Sequence, residues 1–119
     1  MIYTSYFARL KYVINPISIS GRAPDWFDGP QYKQLAPKYS FFKDYKDGKI
    51  DYKEYTILYK KEVLDKLNVS DVYADLCHKY DSANFTLLCY EKIGYFCHRQ
   101  LVAEWLTKNG FPTEELFLY

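Results

Sequence analysis

A single strand-to-helix junction constrains the fold more than any other part of the sequence. Residues 85–90 form a short apolar run of β-forming side chains, which is long enough for a buried strand. After a loop at residues 92–95, an amphipathic run continues to Asn109 and Gly110, a pair that typically ends a helix. The pattern predicts a strand followed by a helix, with residues 97–99 in the first helical turn beside the carboxyl end of the strand.

Two further apolar runs, at residues 2–6 and 17–20, have the composition of strands. Helical periodicity runs from residue 51 to 67, and a second helix is predicted to begin at Ser70. Because helical segments separate the strands, we expect all three to be neighbours in one sheet. The order of elements predicts the α/β class, as a small single-domain sandwich with a mainly parallel sheet and flanking helices.

The whole chain, residues 1–119, is of a length that predicts one domain. Residues 22–50 show no clear periodicity but are rich in aromatic side chains, so they are interpreted as an aromatic-rich loop that covers the site. A helical turn is expected within this cover segment at residues 32–35. Residues 116–119 are predicted to add a last edge strand.

Composition limits the possible classes of protein. With 49% hydrophobic residues the chain can form a sizeable core without disulfides, and its net charge of +1 argues against general polyanion binding. Three cysteines are an odd number, so they cannot form a complete disulfide framework. The sequence contains no apolar stretch long enough to indicate a signal peptide or a membrane span. We therefore expect a cytoplasmic protein with reduced thiols and no contact with a membrane.

Arginine placement suggests an anion site. Arg22 and Arg99, two of the three arginines, each follow a predicted strand, and arginine is the better bidentate partner for phosphate or carboxylate. Ligands of open α/β sheets bind outside the carboxyl ends of the strands, where amides at a helix N-terminus can bind anions. We expect an anionic, phosphate-bearing small molecule, such as a nucleotide. The predicted ligand-binding residues are Ser5, Tyr6, Ser20, Arg22, Trp26, Glu91 and Arg99.

Several of these residues have an alternative structural role. Glu91 and Arg99 are predicted to form a buried, charge-assisted pair across the tight loop, which either fixes that loop or orients Arg99 towards a ligand. Trp26 either covers a planar ligand or anchors the cover segment.

Cys97 and His98 are the candidate catalytic residues. A helix N-terminus beside Arg99 would activate the Cys97 thiol, whereas the alternative is an ordinary buried cysteine. His98 is a candidate general acid or base; its alternative role is a hydrogen bond to the backbone of the first strands. Adjacent helical residues point in different directions, so a direct Cys97–His98 pair is not expected. Although Cys89 and Glu91 could join them around a metal, closed zinc sites usually show two spaced pairs, so no metal or cofactor is predicted.

The motif around the junction resembles a known family. The residues that carry the likeness are Leu87–Glu91, Phe96–Arg99 and Ala103–Leu106, with weaker matches at Tyr3–Phe7, Ile17–Ser20, Pro24–Phe27 and Leu35–Pro37. Together they are similar to the bacterial and phage family called domain of unknown function 488, in which a strand ends in Cys-x-Glu and Cys-His-Arg opens a helix. The resemblance implies an α/β fold and implies no established reaction.

Two classes of function remain open. The first is a pocket for an anionic small molecule or nucleotide, either catalytic or sensing. The second is a non-enzymatic interaction protein, possibly encoded by a phage, whose 14 tyrosines provide a surface for a protein or a nucleic acid. A closed cleft would favour the first class and a flat exposed sheet of tyrosines the second; the oligomeric state is left open.

Overall fold

The computed structural model describes residues 1–92 and 95–116. Its sheet contains four strands: β1 (Ile2–Tyr6), β2 (Pro16–Ser18), β3 (Phe85–Cys89) and β4 (Thr113–Glu115). The strand order is β2-β3-β1-β4, and every pairing is parallel. The prediction of an α/β fold with three neighbouring strands in a mainly parallel sheet is confirmed.

Four α-helices flank the sheet: α1 (Tyr39–Lys46), α2 (Tyr52–Glu62), α3 (Val69–Tyr80) and α4 (His98–Lys108). Short 3-10 helices lie at Phe7–Tyr12, Lys33–Leu35 and Leu64–Lys66. No helix among the described residues has both the length and the apolar character needed to cross a membrane.

Capping side chains set the starts of two helices. Asp51 accepts a hydrogen bond from the Glu54 amide at 2.9 Å and caps α2, as its spacing predicts. The predicted cap at Ser70 is wrong, because Asn68 accepts from the Asp71 amide at 3.0 Å and starts α3 two residues earlier. The predicted helix over residues 51–67 ends its α-helical part at residue 62.

Side chains alternate between two faces of the sheet and so form two clusters of unequal size. Ile17 and Leu87 occupy paired positions on one face and join the large core beneath the helices. Leu88 points the other way and packs with Phe7 and Phe27 in a small cluster. Both faces are therefore covered, which is the sandwich arrangement that the sequence predicts.

The cover segment, residues 22–50, is more regular than its sequence suggests. The expected helical turn is present as the 3-10 helix, but α1 was not predicted. Its N-cap, Lys38, makes no side-chain capping bond, so the usual start signal is missing. The available signal was the spacing of Phe41 and Tyr45, which both pack into the large core.

The last strand lies earlier than predicted. β4 occupies Thr113–Glu115, whereas the prediction placed an edge strand at residues 116–119. Leu116 donates its amide to the Thr4 carbonyl at 2.8 Å and closes the pairing with β1. Residues 117–119 of the predicted strand lie outside the described residues.

The substitution Tyr59→Phe should measure how much one buried hydrogen bond to the cover segment contributes to stability. The Tyr59 hydroxyl donates to the Leu35 carbonyl, and both residues are fully buried. The substitution leaves that carbonyl without its partner, so we expect unfolding free energy to fall by about 1–3 kcal/mol. Urea denaturation measures the change. Tyr52→Phe, at an exposed position, is the matched control, and equal stability of both variants would contradict the expectation.

Candidate functional site

A cavity of about 570 Å³ opens at the carboxyl ends of β2 and β3. Its wall combines aromatic rings with charged side chains and both cysteines of the junction: Ser20, Gly21, Arg22, Pro37, Tyr39, Phe42, Lys46, Cys89, Tyr90, Glu91, Cys97 and His98. Five of the predicted site residues therefore line the same cavity, namely Ser20, Arg22, Glu91, Cys97 and His98.

Helix α1 forms one wall of the cavity and supplies residues that the sequence reasoning missed. Tyr39, Phe42 and Lys46 lie three and four residues apart, so one helical face presents all three to the cavity. Their spacing was the signal that could have identified them. Lys46 Nζ lies 2.8 Å from Glu91 Oε1 and joins α1 to the β3–α4 loop across the rim.

Arg22 also lines the cavity and is accessible. Its side chain is 88% exposed, and its guanidinium lies 3.8 Å from the Asp25 carboxylate. An exposed pair at this distance contributes little to stability, so it leaves Arg22 able to turn towards a ligand. The backbone of Arg22 is held separately, because the Tyr90 hydroxyl donates to its carbonyl at 2.6 Å.

Arg99 does not reach the cavity, because it is fully buried among its own partners. Its Nε and Nη2 atoms donate to the two carboxylate oxygens of Glu115 at 3.0 and 2.9 Å. Nη1 donates to the Glu91 carbonyl at 2.5 Å and to Cys89 Sγ at 3.1 Å. All three guanidinium nitrogens are thus held by protein groups, and Arg99 is a structural element of the site.

The predicted ion pair between Glu91 and Arg99 is wrong. Glu91 contributes its backbone carbonyl to Arg99, while its carboxylate turns to Lys46. Glu115 is the true partner because the parallel register places it beside Thr4, whose hydroxyl donates to the same carboxylate at 2.6 Å. A contact made through strand pairing gives no local sequence signal.

Three other predicted residues lie away from the cavity. Ser5 pairs with Leu88 on the small-cluster face, and its buried hydroxyl has no hydrogen-bond partner among the described residues. The Tyr6 ring lies beneath the Arg99 guanidinium at 5.8 Å. Trp26 packs edge-on against Phe7, with ring centroids 6.3 Å apart, in agreement with its anchoring alternative.

Cys89 and Cys97 are joined by a disulfide, while Cys77 is free. The expectation of reduced thiols is therefore wrong for this pair. The end of β3 and the N-cap position of α4 bring the two residues together although a loop separates them in sequence. An odd number of cysteines excludes a complete framework, but it leaves room for one pair.

His98 is buried, and its ring orientation is fixed by the backbone of the chain. Nε2 lies 2.7 Å from the Ile19 carbonyl, as the structural alternative for this residue predicted. Because a carbonyl only accepts, Nε2 carries the proton in the neutral ring, and Nδ1 faces Cys97 Sγ at 3.7 Å. The direct contact between Cys97 and His98 contradicts the expectation that adjacent side chains would point apart.

Burial lowers the pKa of His98 from 6.5 to about 4. Desolvation is the largest cause and the nearby Arg99 charge adds to it, whereas the Ile19 hydrogen bond opposes the shift. The imidazole is therefore neutral at physiological pH.

A possible metal site is present among the described residues. Its ligand atoms would come from Cys89, Cys97 and His98 and all lie within 4.8 Å of one another. A disulfide sulfur is not a thiolate ligand, so this set fits a metal only after reduction of the cysteine pair.

Replacing Arg99 should be far more destabilising than replacing the other arginine of the site. Arg99→Ala leaves the Glu115 carboxylate without its buried partner, and we expect a loss of about 3–5 kcal/mol. Thermal and urea denaturation measure the loss, with Arg22→Ala as the exposed control.

Two acid variants then identify the partner. Glu115→Gln should reproduce much of the Arg99→Ala loss, whereas Glu91→Gln should stay close to wild type. The reverse order would contradict the pairing described above.

His98 should make stability fall in weakly acidic solution. The unfolded state takes up a proton near pH 6.5, while the folded state resists until about pH 4. This contribution is complete above pH 6.5 and decreases as pH falls through that window, by about 3 kcal/mol in total. Urea denaturation at several pH values should show this slope in wild type and in His78→Gln. His98→Gln should lack it, and an unchanged slope in that variant would assign the effect to other groups.

Comparison with known proteins identifies a family. A family model described as the active DUF488-N3 subclade matches residues 7–110, which is most of the chain and includes the whole β3–α4 junction. No curated protein and no solved structure matches the chain. The chain therefore belongs to the DUF488 family, as the motif at residues 89–99 led us to expect.

Proposed function

We propose that the cavity binds a small anionic ligand that carries a phosphate, with a nucleotide as the favoured class. The observation that carries the proposal is the position of the cavity, at the carboxyl ends of two parallel strands and beside the N-terminus of α4. Ligands of open parallel sheets bind at such edges. The volume of about 570 Å³ also lies within the range of small-molecule sites.

The wall of the cavity supplies the two kinds of contact that a nucleotide needs. Tyr39, Phe42 and Tyr90 offer aromatic rings against which a planar base can stack. Arg22 at the rim offers an exposed guanidinium for the phosphate, and the N-terminal dipole of α4 favours the same negative charge. Lys46 adds a second cation, which a ligand would share with Glu91.

A reaction at this site stays a prediction. Cys97 and His98 are the candidate catalytic residues because both border the cavity and contact one another. The neutral His98 ring presents Nδ1 as an acceptor towards Cys97 Sγ, so after reduction of the Cys89–Cys97 disulfide it could take a proton from the Cys97 thiol. A cytoplasmic location likewise stays a prediction.

The interaction-protein alternative has a weaker basis. Exposed tyrosines are present on several separate elements, at Tyr12, Tyr39, Tyr52, Tyr90 and Tyr95. They do not form one flat face, since both faces of the sheet are covered, and two of them line the cavity. We therefore favour the pocket, and a protein or nucleic-acid partner remains the second proposal.

Calorimetric titration with a panel of nucleotides and sugar phosphates tests the pocket. We expect wild type to bind at least one member, and Arg22→Ala to bind it about tenfold more weakly, as loss of a hydrogen bond to a charged group implies. Lys61→Ala removes one exposed positive charge from α2, away from the cavity, and should bind as wild type.

A second variant identifies the part of the ligand that stacks. Phe42→Ala should weaken nucleotides more than sugar phosphates, because only nucleotides carry a base. If wild type binds no member of the panel, the pocket proposal fails and the interaction-protein alternative becomes the working hypothesis. Equal losses for Arg22→Ala and Lys61→Ala would instead indicate non-specific attraction by charge.

A further inference from the structure

We propose that Cys89 and Cys97 are a redox-active pair that exchanges with low-molecular-weight disulfides inside the cavity. This inference does not depend on the phosphate ligand. It rests on the position of the two sulfur atoms, on the groups that surround them and on the contrast with the third cysteine.

Access to the pair is through the cavity. Cys89 and Cys97 both line it, yet their residues are only 1% and 6% exposed. The surface of a folded protein cannot reach sulfur atoms buried inside the cavity, whereas a small disulfide fits its volume of about 570 Å³. Cys77 belongs to α3 and is partly exposed, but it lines no described cavity, and the other two cysteines of the chain are paired with each other.

The surroundings of both sulfur atoms favour thiolates once the pair is reduced. Arg99 directs Nη1 at Cys89 Sγ from 3.1 Å, and Glu115 holds that guanidinium in place from the other side. Cys97 lies at the N-cap of α4, where the helix dipole stabilises negative charge. Positive groups of this kind lower thiol pKa values, and the thiolate is the form that attacks a disulfide.

The exchange proceeds in two balanced steps. The Cys97 thiolate attacks one sulfur of the small disulfide, the bond between its two sulfur atoms breaks, and the first small thiolate leaves. The Cys89 thiolate then attacks Cys97 Sγ, forms the protein disulfide and releases the second thiolate. Two electrons pass from the cysteine pair to the small disulfide, and both released thiolates take protons from water. Cys97 is the attacking residue because it is the more exposed of the two.

The test uses reduced full-length protein and oxidised glutathione, followed by mass spectrometry. Wild type should form the Cys89–Cys97 disulfide and release two glutathione molecules per chain. Trypsin cleavage after Lys92 separates the two cysteines, so the linked peptides identify the bond directly. Cys77→Ser is the matched control and should behave as wild type.

Single variants separate the two steps. Cys89→Ser should trap one glutathione on Cys97, because the second attack is missing. Cys97→Ser should react at Cys89 at least about tenfold more slowly, since the attacking thiolate is lost.

Three results would overturn the proposal. The first is glutathione attachment at Cys77 as fast as at Cys97. The second is a wild-type protein that forms no Cys89–Cys97 bond. The third is zinc that copurifies at one ion per reduced chain and blocks the exchange, which would assign the cluster with His98 to a metal. Nucleotide titration of the wild-type protein reports on the phosphate pocket separately, so failure of one proposal is distinguishable from failure of the other.

Discussion

The buried ion pair between Arg99 and Glu115 is the interaction on which the rest of the structure depends. A buried guanidinium is tolerated when protein groups pair with it, and here each of its three nitrogens bonds to a partner on β4, on β3 or in the β3–α4 loop. The Arg99 side chain joins the start of α4 to Glu115 at the end of β4, to Cys89 at the end of β3 and to the backbone carbonyl of Glu91. A buried cation thereby connects the sheet to helix α4.

The interactions of Arg99 also affect the rim of the cavity. Because Arg99 binds the backbone carbonyl of Glu91, the carboxylate of that residue is free to turn outward to Lys46. This second, exposed pair brings α1 against the β3–α4 loop and closes one side of the rim. The contact between Arg99 and the Glu91 carbonyl, which gives no local signal in the sequence, thus affects which cations a ligand would meet at the entrance of the cavity. Lys46 is paired with Glu91 there, so Arg22 is the more accessible of the two cations.

Local pattern was sufficient to predict the three strands β1, β2 and β3 and helix α4, because apolar runs of strand length and an Asn-Gly stop are encoded within a few residues. It was also sufficient to bring Ser20, Cys97 and His98 to one edge of the sheet. It failed where the information is not local. Glu115 became the partner of Arg99 through parallel pairing with β1, and α1 lacks a capping side chain and has only eight residues. Ser5 was misplaced by the two-residue alternation of a strand, which directs it to the opposite face.

The strand order has a consequence for how this chain reaches its native state. β1 is an inner strand, and both of its neighbours lie far along the chain: Ile2 pairs with Phe85 on one side and with Thr113 on the other. Neither neighbour of β1 is available until the chain has been made as far as Phe85 and Thr113, and closing such long loops costs entropy before the strand pairing forms. We expect the helices between residues 39 and 80 to collapse first and the sheet to assemble around β1 as the slow step. A nascent chain therefore keeps β1 unpaired until β3 has been made, and contacts with chaperones during that time would fall at β1.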